Sequence, residues 1–347
     1  MPETPSGKVA AAFAPLIFGV ITFQAYTTAV RLGIPDAVAD TPRSASELAA
    51  ALDADEANLY RLLRALVALG LLTWTEDGRF ALTETGAQLR TGTADGSREL
   101  VAFFGEPLMW QTFGALEESV RKGGPAFTKV TGDFFFDHFA KDTAFARSYH
   151  GGMRWGTAMM APLLATAGYD WSRSRRVVDV GGGDGGVLTA VLAAQPHLHG
   201  VVYDTAEALA GLPAGAEAAG VADRCTGEPG DFLAKVPSGA DTYLLKNVLH
   251  EWGDADCVRI LGNCRDAMAE DGKVLIVATL LPEPGAAEDP SAFTYAALSD
   301  LQLMSASNGE RTLAEYSALC ARAGLRVTGV SKIPYLPNDN VIEAAVS

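Results

Sequence analysis

The chain has 347 residues, and its 42 acidic and 27 basic side chains give a formal net charge of -15 at pH 7. This length suits two domains, and an apolar fraction of 48% is that of an ordinary globular protein. A strongly negative chain repels phosphates, so the composition argues against a nucleic-acid partner.

The N-terminal segment predicts neither secretion nor membrane insertion. Residues 1–5 lack the basic head of a signal peptide, so we expect a reducing cytoplasm. The apolar run from Val9 to Val30 has the length of a membrane span, but Pro15 and Gln24 interrupt it and no positive cluster flanks it. We interpret it as a buried helix whose apolar face needs a partner.

The cysteines show no paired metal-ligand spacing, and they predict core packing and no bound metal. They are Cys225, Cys257, Cys264 and Cys320.

Two helices and a hairpin are predicted near the N-terminus. Ser44 and Glu47 have the spacing of a capping box, and a leucine stripe indicates a helix from Asp55 to Gly70. Short strands at Leu71–Trp74 and Arg79–Leu82 flank a turn. This is the winged-helix arrangement familiar from DNA-binding proteins.

Charge argues against DNA binding by this module. Between Ser44 and Arg90, seven acids oppose four arginines, a net charge of 4 - 7 = -3. A helix that enters a DNA groove should be basic. We therefore assign residues 1–98 to a dimerisation domain.

The segment 99–168 is rich in aromatic residues and is predicted to be a helical linker. Most of its rings should be core, and a few could line a pocket for a flat substrate.

From residue 169 onward, strands alternate with helices. This pattern predicts an α/β fold with a doubly wound, mostly parallel sheet that binds its ligand at the carboxyl ends of the strands. The predicted strands are Arg176–Val180, Gly200–Asp204, Arg224–Thr226, Asp241–Lys246, Lys273–Leu280, Leu325–Val330 and Asn340–Val346, the last two forming an antiparallel pair.

The stretch Val177–Gly186 runs from a buried strand into five glycines and then into a helix. Asp204 lies nineteen residues past Gly185, at the end of the next strand, where it can accept ribose hydroxyls. Both dinucleotide-binding enzymes and S-adenosylmethionine-dependent enzymes share this pattern. A glycine-rich turn without a ligand is the simpler alternative.

Three further stretches follow in order, Gly230–Leu233, Leu245–Trp252 and Asn308–Thr312. With the glycine turn, they resemble the S-adenosylmethionine-dependent O-methyltransferases of the plant caffeate and bacterial polyketide type. The resemblance covers nearly the whole chain. It implies a Rossmann-like methyltransferase domain, a winged-helix-like domain that forms a homodimer, and a hydroxylated aromatic substrate of secondary metabolism.

The resemblance also implies the binding residues. The cofactor contacts would be Gly181 and Gly183 at the methionine part, Asp204 at the ribose, Asp231 and Phe232 beside the adenine, and Lys246 nearby. Met153, Met304 and Asn308 would line the acceptor pocket. Carboxylates accept hydrogen bonds and a phenyl ring offers a stacking face, although Asp231 could instead cap a helix.

His250 is the predicted general base. A phenol with a pKa of about 10 is a poor nucleophile until its proton leaves, and a histidine that takes the proton contributes roughly 10²- to 10⁴-fold in rate. By the same resemblance, Glu310 would orient the imidazole. The alternatives are a structural histidine at a helix start and, for Glu310, a charge at a helix N-terminus.

The chain departs from the family at one position, because Ala278 stands where the family commonly has a second glutamate. Either Glu310 suffices, or Glu251, Asp254 or Asp300 contributes, or the chemistry differs.

Other functions remain open at this stage. A C- or N-methyltransferase or a non-methylating enzyme could use the same scaffold. A nicotinamide-dependent dehydrogenase would explain the glycine turn but not the histidine segment, and a ligand-sensing winged-helix regulator conflicts with the acidic charge.

Overall fold

The computed structural model describes residues 5–93, 95–286, 289–336 and 338–346. The chain forms two compact units, Met1–Trp110 with Asp142–Trp155, and Gln111–Lys141 with Gly156–Ser347. The predicted division into residues 1–98, 99–168 and 169–347 stays a prediction.

The first unit contains helices and a hairpin, as predicted. Its elements are α1 (Pro5–Leu32), α2 (Ile34–Ala37), α3 (Ala45–Leu52), α4 (Glu56–Ala68), β1 (Leu72–Trp74), β2 (Phe80–Leu82), α5 (Glu84–Ala87) and α6 (Ser97–Phe104). The capping box is present, because the Glu47 N–H donates to Ser44 Oγ at 3.2 Å and the Ser44 N–H donates to Glu47 Oε2 at 2.8 Å. Leu48, Leu63 and Phe80 are buried in the core of this unit.

Helix α1 exposes an apolar face within the single chain. Phe13, Leu16, Ile17, Phe18 and Ile21 are each 60–69% exposed. Large apolar side chains in such a patch mark an interaction surface. In the described part of the chain, no helix combines the length and apolar character needed to cross a bilayer.

Four helices follow, and two of them have residues in both units. They are α7 (Pro107–Gly114), α8 (Leu116–Lys122), α9 (Ala126–Thr131) and α10 (Thr143–Leu163). Phe103 and Phe145 are buried in the first unit, and Phe127 and Phe135 are buried in the second. These four aromatic side chains are therefore core, as most were expected to be.

The second unit is built on one eight-stranded sheet. Its further elements are β3 (Arg176–Val180), α11 (Gly186–Ala194), β4 (His199–Asp204), α12 (Leu212–Ala218), β5 (Cys225–Pro229), β6 (Thr242–Lys246), α13 (Asp254–Ala267), β7 (Lys273–Leu281), α14 (Pro290–Ala306), β8 (Arg311–Thr312), α15 (Leu313–Arg322), β9 (Leu325–Lys332) and β10 (Asp339–Val346). The order is β5-β4-β3-β6-β7-β10-β9, and β8 pairs with the end of β7.

Strands β3 to β7 run parallel, whereas β10 is antiparallel to both β7 and β9. The prediction of a doubly wound, mostly parallel sheet with a terminal antiparallel pair is confirmed. The direction of strand addition reverses between β3 and β6, and a crevice opens at such a switch point outside the carboxyl ends of the strands. The glycine turn leaves β3 there, and the His250 segment leaves β6.

Candidate functional site

The glycine turn presents bare backbone at the end of β3. Gly181, Gly183 and Gly185 have φ values of +71°, +60° and +79°, a region that side chains disfavour. A Cβ at Gly181 would lie 2.8 Å from Val248 Cγ2, whereas one at Gly183 would meet nothing within 4 Å. Packing therefore requires glycine at 181, while Gly183 leaves open space in which a ligand can approach the backbone.

Two predicted cofactor-binding acids have different surroundings. Asp204 lies against the glycine turn, where its Oδ2 accepts the Gly183 N–H at 2.9 Å and its Oδ1 accepts the Thr205 N–H at 2.7 Å. A carboxylate oxygen can accept a second hydrogen bond, so Asp204 can still bind hydroxyls. Asp231 is exposed, and its Oδ1 accepts the Leu233 N–H at 2.8 Å within a turn; no helix begins between β5 and β6, so Asp231 does not cap a helix.

Phe232 lies beside the glycine turn. Its Cε1 is 3.6 Å from the position that a Cβ of Gly181 would take, and its ring packs edge-on against Trp252 at 5.7 Å between centroids. Trp252 in turn contacts Phe134 and Phe136, at 6.0 and 6.5 Å between centroids. The turn therefore has an aromatic wall on one side.

A buried acid that was not among the predicted site residues lies beneath this turn. Asp179, in β3, is 1% exposed, and its Oδ2 has no hydrogen-bond partner in the described part of the chain. Burial raises the pKa of Asp179 to about 7, against the opposing effect of the Lys246 charge. The available signal was an aspartate inside an otherwise apolar strand.

Lys246 ends β6, and its ammonium group donates to Thr157 Oγ1 at 3.4 Å. Burial lowers the pKa of Lys246, although the charge of Asp179 acts in the opposite direction. The charges of Asp179 and Lys246 thus act on each other, one from β3 and the other from the end of β6.

His250 lies in the short turn Leu249–Glu251 that follows β6. Its Nδ1 is 3.3 Å from Glu310 Oε2, and its Nε2 is 3.7 Å from Glu251 Oε1. The His250 side chain is 10% exposed and that of Glu310 is 2% exposed. Burial lowers the pKa of His250, but the hydrogen bond to Glu310 and the charges of Glu310 and Glu251 outweigh burial, and the pKa is raised.

Because Ala278 replaces the family's second glutamate, three other acids were candidates to assist His250, and the structure gives them different positions. Glu251 faces the imidazole, and burial raises the pKa of its carboxyl. Asp254 accepts from the Arg311 guanidinium at 3.1 Å, and Asp300 Oδ1 accepts the Glu310 N–H at 2.9 Å. Asp254 and Asp300 therefore hold the segment around Glu310, whereas Glu251 supplies a second carboxylate beside the ring.

The segment 308–311 binds the histidine turn through four successive carbonyls. Arg311 donates to Leu249 O and Trp252 O at 2.9 Å each, Gly309 N to His250 O at 3.0 Å, and Asn308 Nδ2 to Glu251 O at 2.9 Å. The histidine turn is thus fixed along its length. Arg311 was not among the predicted site residues, although it stands in the motif that named Glu310.

The predicted acceptor-pocket methionines lie on two helices. Met304 is half-buried on α14 in the second unit, and Met153 is half-buried on α10 in the first. Their predicted role stays a prediction. Among the residues that the structure describes, no group of three or more His, Cys, Asp or Glu side chains is placed to hold a metal ion.

The chain resembles known proteins over most of its length. Residues 113–326 match the O-methyltransferase domain, and residues 14–91 match the O-methyltransferase dimerisation domain. The O-demethylpuromycin-O-methyltransferase of Streptomyces alboniger is 39% identical over 332 residues, 95% of this chain and 87% of that protein. The 8-amino-8-demethylriboflavin N,N-dimethyltransferase of Streptomyces davaonensis is 34% identical over 321 residues, 89% of this chain and 88% of that protein.

Among solved structures, one similar chain is an O-methyltransferase from neocarzinostatin biosynthesis, in complex with S-adenosylmethionine and 2-hydroxy-5-methyl naphthoic acid. It is 33% identical, has a TM-score of 0.75, and the match covers 94% of this chain and 96% of that one. Because the domain match spans more than half of the chain and the relatives exceed 30% identity, the chain belongs to the S-adenosylmethionine-dependent O-methyltransferases that pair through an N-terminal dimerisation domain.

Proposed function

We propose that this O-methyltransferase methylates a hydroxyl of an aromatic small molecule of secondary metabolism, with His250 as the general base. The buried pairing of His250 with Glu310, at the carboxyl end of β6, is the observation that carries the proposal. The named relatives support the acceptor class, since one is an O-methyltransferase of O-demethylpuromycin and another was solved with 2-hydroxy-5-methyl naphthoic acid.

The roles of the two ring nitrogens follow from their neighbours. With the Nδ1–H donated to Glu310 Oε2, the lone pair is on Nε2, and Nε2 can take the hydroxyl proton. Bound S-adenosylmethionine would supply the methyl group: the electron pair left on the acceptor oxygen would form the new carbon–oxygen bond while the methyl–sulfur bond breaks and its electron pair stays on the sulfur, which becomes neutral. Glu310 and Glu251 stabilise the imidazolium that results, because each places a carboxylate within 3.7 Å of the ring.

The residues around the glycine turn fit the cofactor. When bound, S-adenosylmethionine supplies a methyl group attached to a positively charged sulfur. We propose that Gly181, Gly183 and the unpartnered Asp179 Oδ2 hold its methionine part, because a buried carboxylate oxygen lacking a donor favours an ammonium group. Asp204 would hold the ribose hydroxyls.

We propose that Asp231, Phe232 and Lys246 complete the cofactor site. Phe232 supports this assignment by lying against Gly181 with its ring backed by Trp252. Asp231 has the weakest support, since its carboxylate accepts a hydrogen bond from the nearby Leu233 N–H within its own turn. We further propose that Met304 and Asn308, both in the second unit, line the acceptor pocket, while the role predicted for Met153 in the first unit stays a prediction.

The relative from Streptomyces davaonensis favours one second candidate, methyl transfer to an aromatic amine. A neutral amine has a free lone pair before it loses a proton, so His250 would matter less for that reaction. Matched hydroxyl and amino acceptors would therefore distinguish the two activities.

The predicted homodimer is confirmed by the match to the dimerisation domain. The apolar face of α1 suits this assembly, because pairing would cover it. We also propose a cytoplasmic location, since all four cysteines are unpaired and buried, which fits a reducing compartment.

The base assignment is tested with His250→Ala. We expect S-adenosylmethionine binding, measured by calorimetry, to be unchanged, and methyl transfer, measured by mass spectrometry on a panel of phenolic acceptors, to fall roughly 10²- to 10⁴-fold. His199→Ala is the matched control, because His199 is exposed at the start of β4. Undiminished methylation by His250→Ala would reject the assignment.

A further inference from the structure

We propose that Ser299 is a positioning residue for the base, because its hydroxyl holds one oxygen of Glu310 and thereby aims the other at His250. The inference rests on the proposed role of His250 as general base.

Each oxygen of the Glu310 carboxylate has its own side-chain partner. Ser299 Oγ donates to Glu310 Oε1 at 3.1 Å, while Glu310 Oε2 faces His250 Nδ1 at 3.3 Å. The Glu310 side chain is 2% exposed, so water has little access to it. Without the Ser299 hydroxyl, Oε1 would lose its donor in a buried position, which favours rotation of the carboxylate toward another donor.

Helix α14 holds Glu310 at two points. Ser299 contacts the carboxylate, and the next residue, Asp300, accepts the backbone N–H of Glu310 at 2.9 Å. The Asp300 contact fixes the backbone and the Ser299 contact fixes the side-chain rotation. Two consecutive residues of α14 thus set the position and the orientation of the group that faces the imidazole.

Several titratable side chains surround the pair formed by Glu310 and His250. The titratable groups facing Glu310 or His250 are Asp300 and Tyr295 on α14, Tyr316 on α15, Asp339 on β10, Glu251 in the histidine turn and Lys246 at the end of β6. In the described part of the chain, the Ser299 hydroxyl and the His250 ring are the side-chain donors to this carboxylate.

The test compares Ser299→Ala, Ser299→Thr and the control Ser305→Ala. Ser305 is on the same helix and is buried, but its hydroxyl donates to the helix's own Gln302 carbonyl. We expect Ser299→Ala to lower kcat roughly 10-fold, a part of the 10²- to 10⁴-fold supplied by a general base, with the KM for S-adenosylmethionine unchanged.

The pH profile separates positioning from a structural role. A misaligned Glu310 supports the imidazolium less, so the pKa of His250 should fall and the acid limb of kcat/KM should move to lower pH. Ser299→Thr keeps the hydroxyl, so its kcat and the position of its acid limb of kcat/KM should be those of the wild type.

An equal loss in Ser299→Ala and Ser305→Ala with an unmoved acid limb would overturn the inference, as would wild-type kinetics in Ser299→Ala when His250→Ala is inactive. Full activity of His250→Ala would instead reject the proposed function.

Discussion

The two turns that leave β3 and β6 lie at the same edge of one sheet but are built differently. The glycine turn is made of consecutive residues and offers backbone, with Gly183 open to its surroundings. The histidine turn depends on side chains that are distant in sequence, since Glu310 follows His250 by sixty residues. The proposed cofactor half of the site is thus encoded locally, whereas the proposed base half is assembled by tertiary structure.

Because the glycine turn offers bare backbone, we expect the largest effect on cofactor binding when a side chain fills the open space at Gly183. Gly183→Ala places a methyl group where the ligand would approach, and we expect the Kd for S-adenosylmethionine to rise about 100-fold, equivalent to roughly 2.7 kcal/mol. Calorimetry would measure this change.

Gly220→Ala is the matched control, because Gly220 also has a positive φ, +68°, and its Cβ would meet nothing within 4 Å. Both variants should lose a similar stability, about 1 kcal/mol, from left-handed backbone strain. If the two bound S-adenosylmethionine equally well, the glycine turn would not be the cofactor site.

A smaller effect is predicted where the histidine turn depends on its distant partner. Glu310→Gln removes a negative charge that raises the pKa of His250, so that pKa should fall. The base is active when neutral, so the acid limb of kcat/KM should lie above pH 6.5 in the wild type, the ordinary histidine value, and move to lower pH in the variant.

We expect Glu310→Gln also to lower the plateau of kcat/KM about tenfold, since the imidazolium loses support. The pH dependence of kcat/KM would show both effects. Glu217→Gln, on the exposed side of α12, should leave the profile unmoved. If the acid limb of kcat/KM stayed at the wild-type pH in Glu310→Gln, the carboxylate would not be raising the pKa of His250.

The same contrast explains what the sequence could predict. Some features depend on residues that are close together in the sequence, so short patterns were enough to predict them. They are the glycine turn, the capping box at Ser44 and the terminal antiparallel pair. Asp204 and the glycine turn were both predicted, and the structure joins them through Gly183 N–H.

Contacts between distant segments were less accessible. Arg311 binds carbonyls near residue 250, and Ser299 holds Glu310 from a helix that shows no sequence signal for this contact. Glu251 was only one of three acids that could replace the carboxylate missing at Ala278. The sequence could not select it, because only the folded turn places its carboxylate beside Nε2 of His250.

The central claim is that His250 removes the proton of the acceptor hydroxyl, and a series of acceptors with different hydroxyl pKa values tests it most directly. Methyl transfer by the wild type and by His250→Ala would be compared at one pH. For phenols with the ordinary pKa of about 10, the variant should lose most of its rate, whereas for acidic phenols that are already ionised the two proteins should approach each other. A loss of the same size across the whole series would contradict the account.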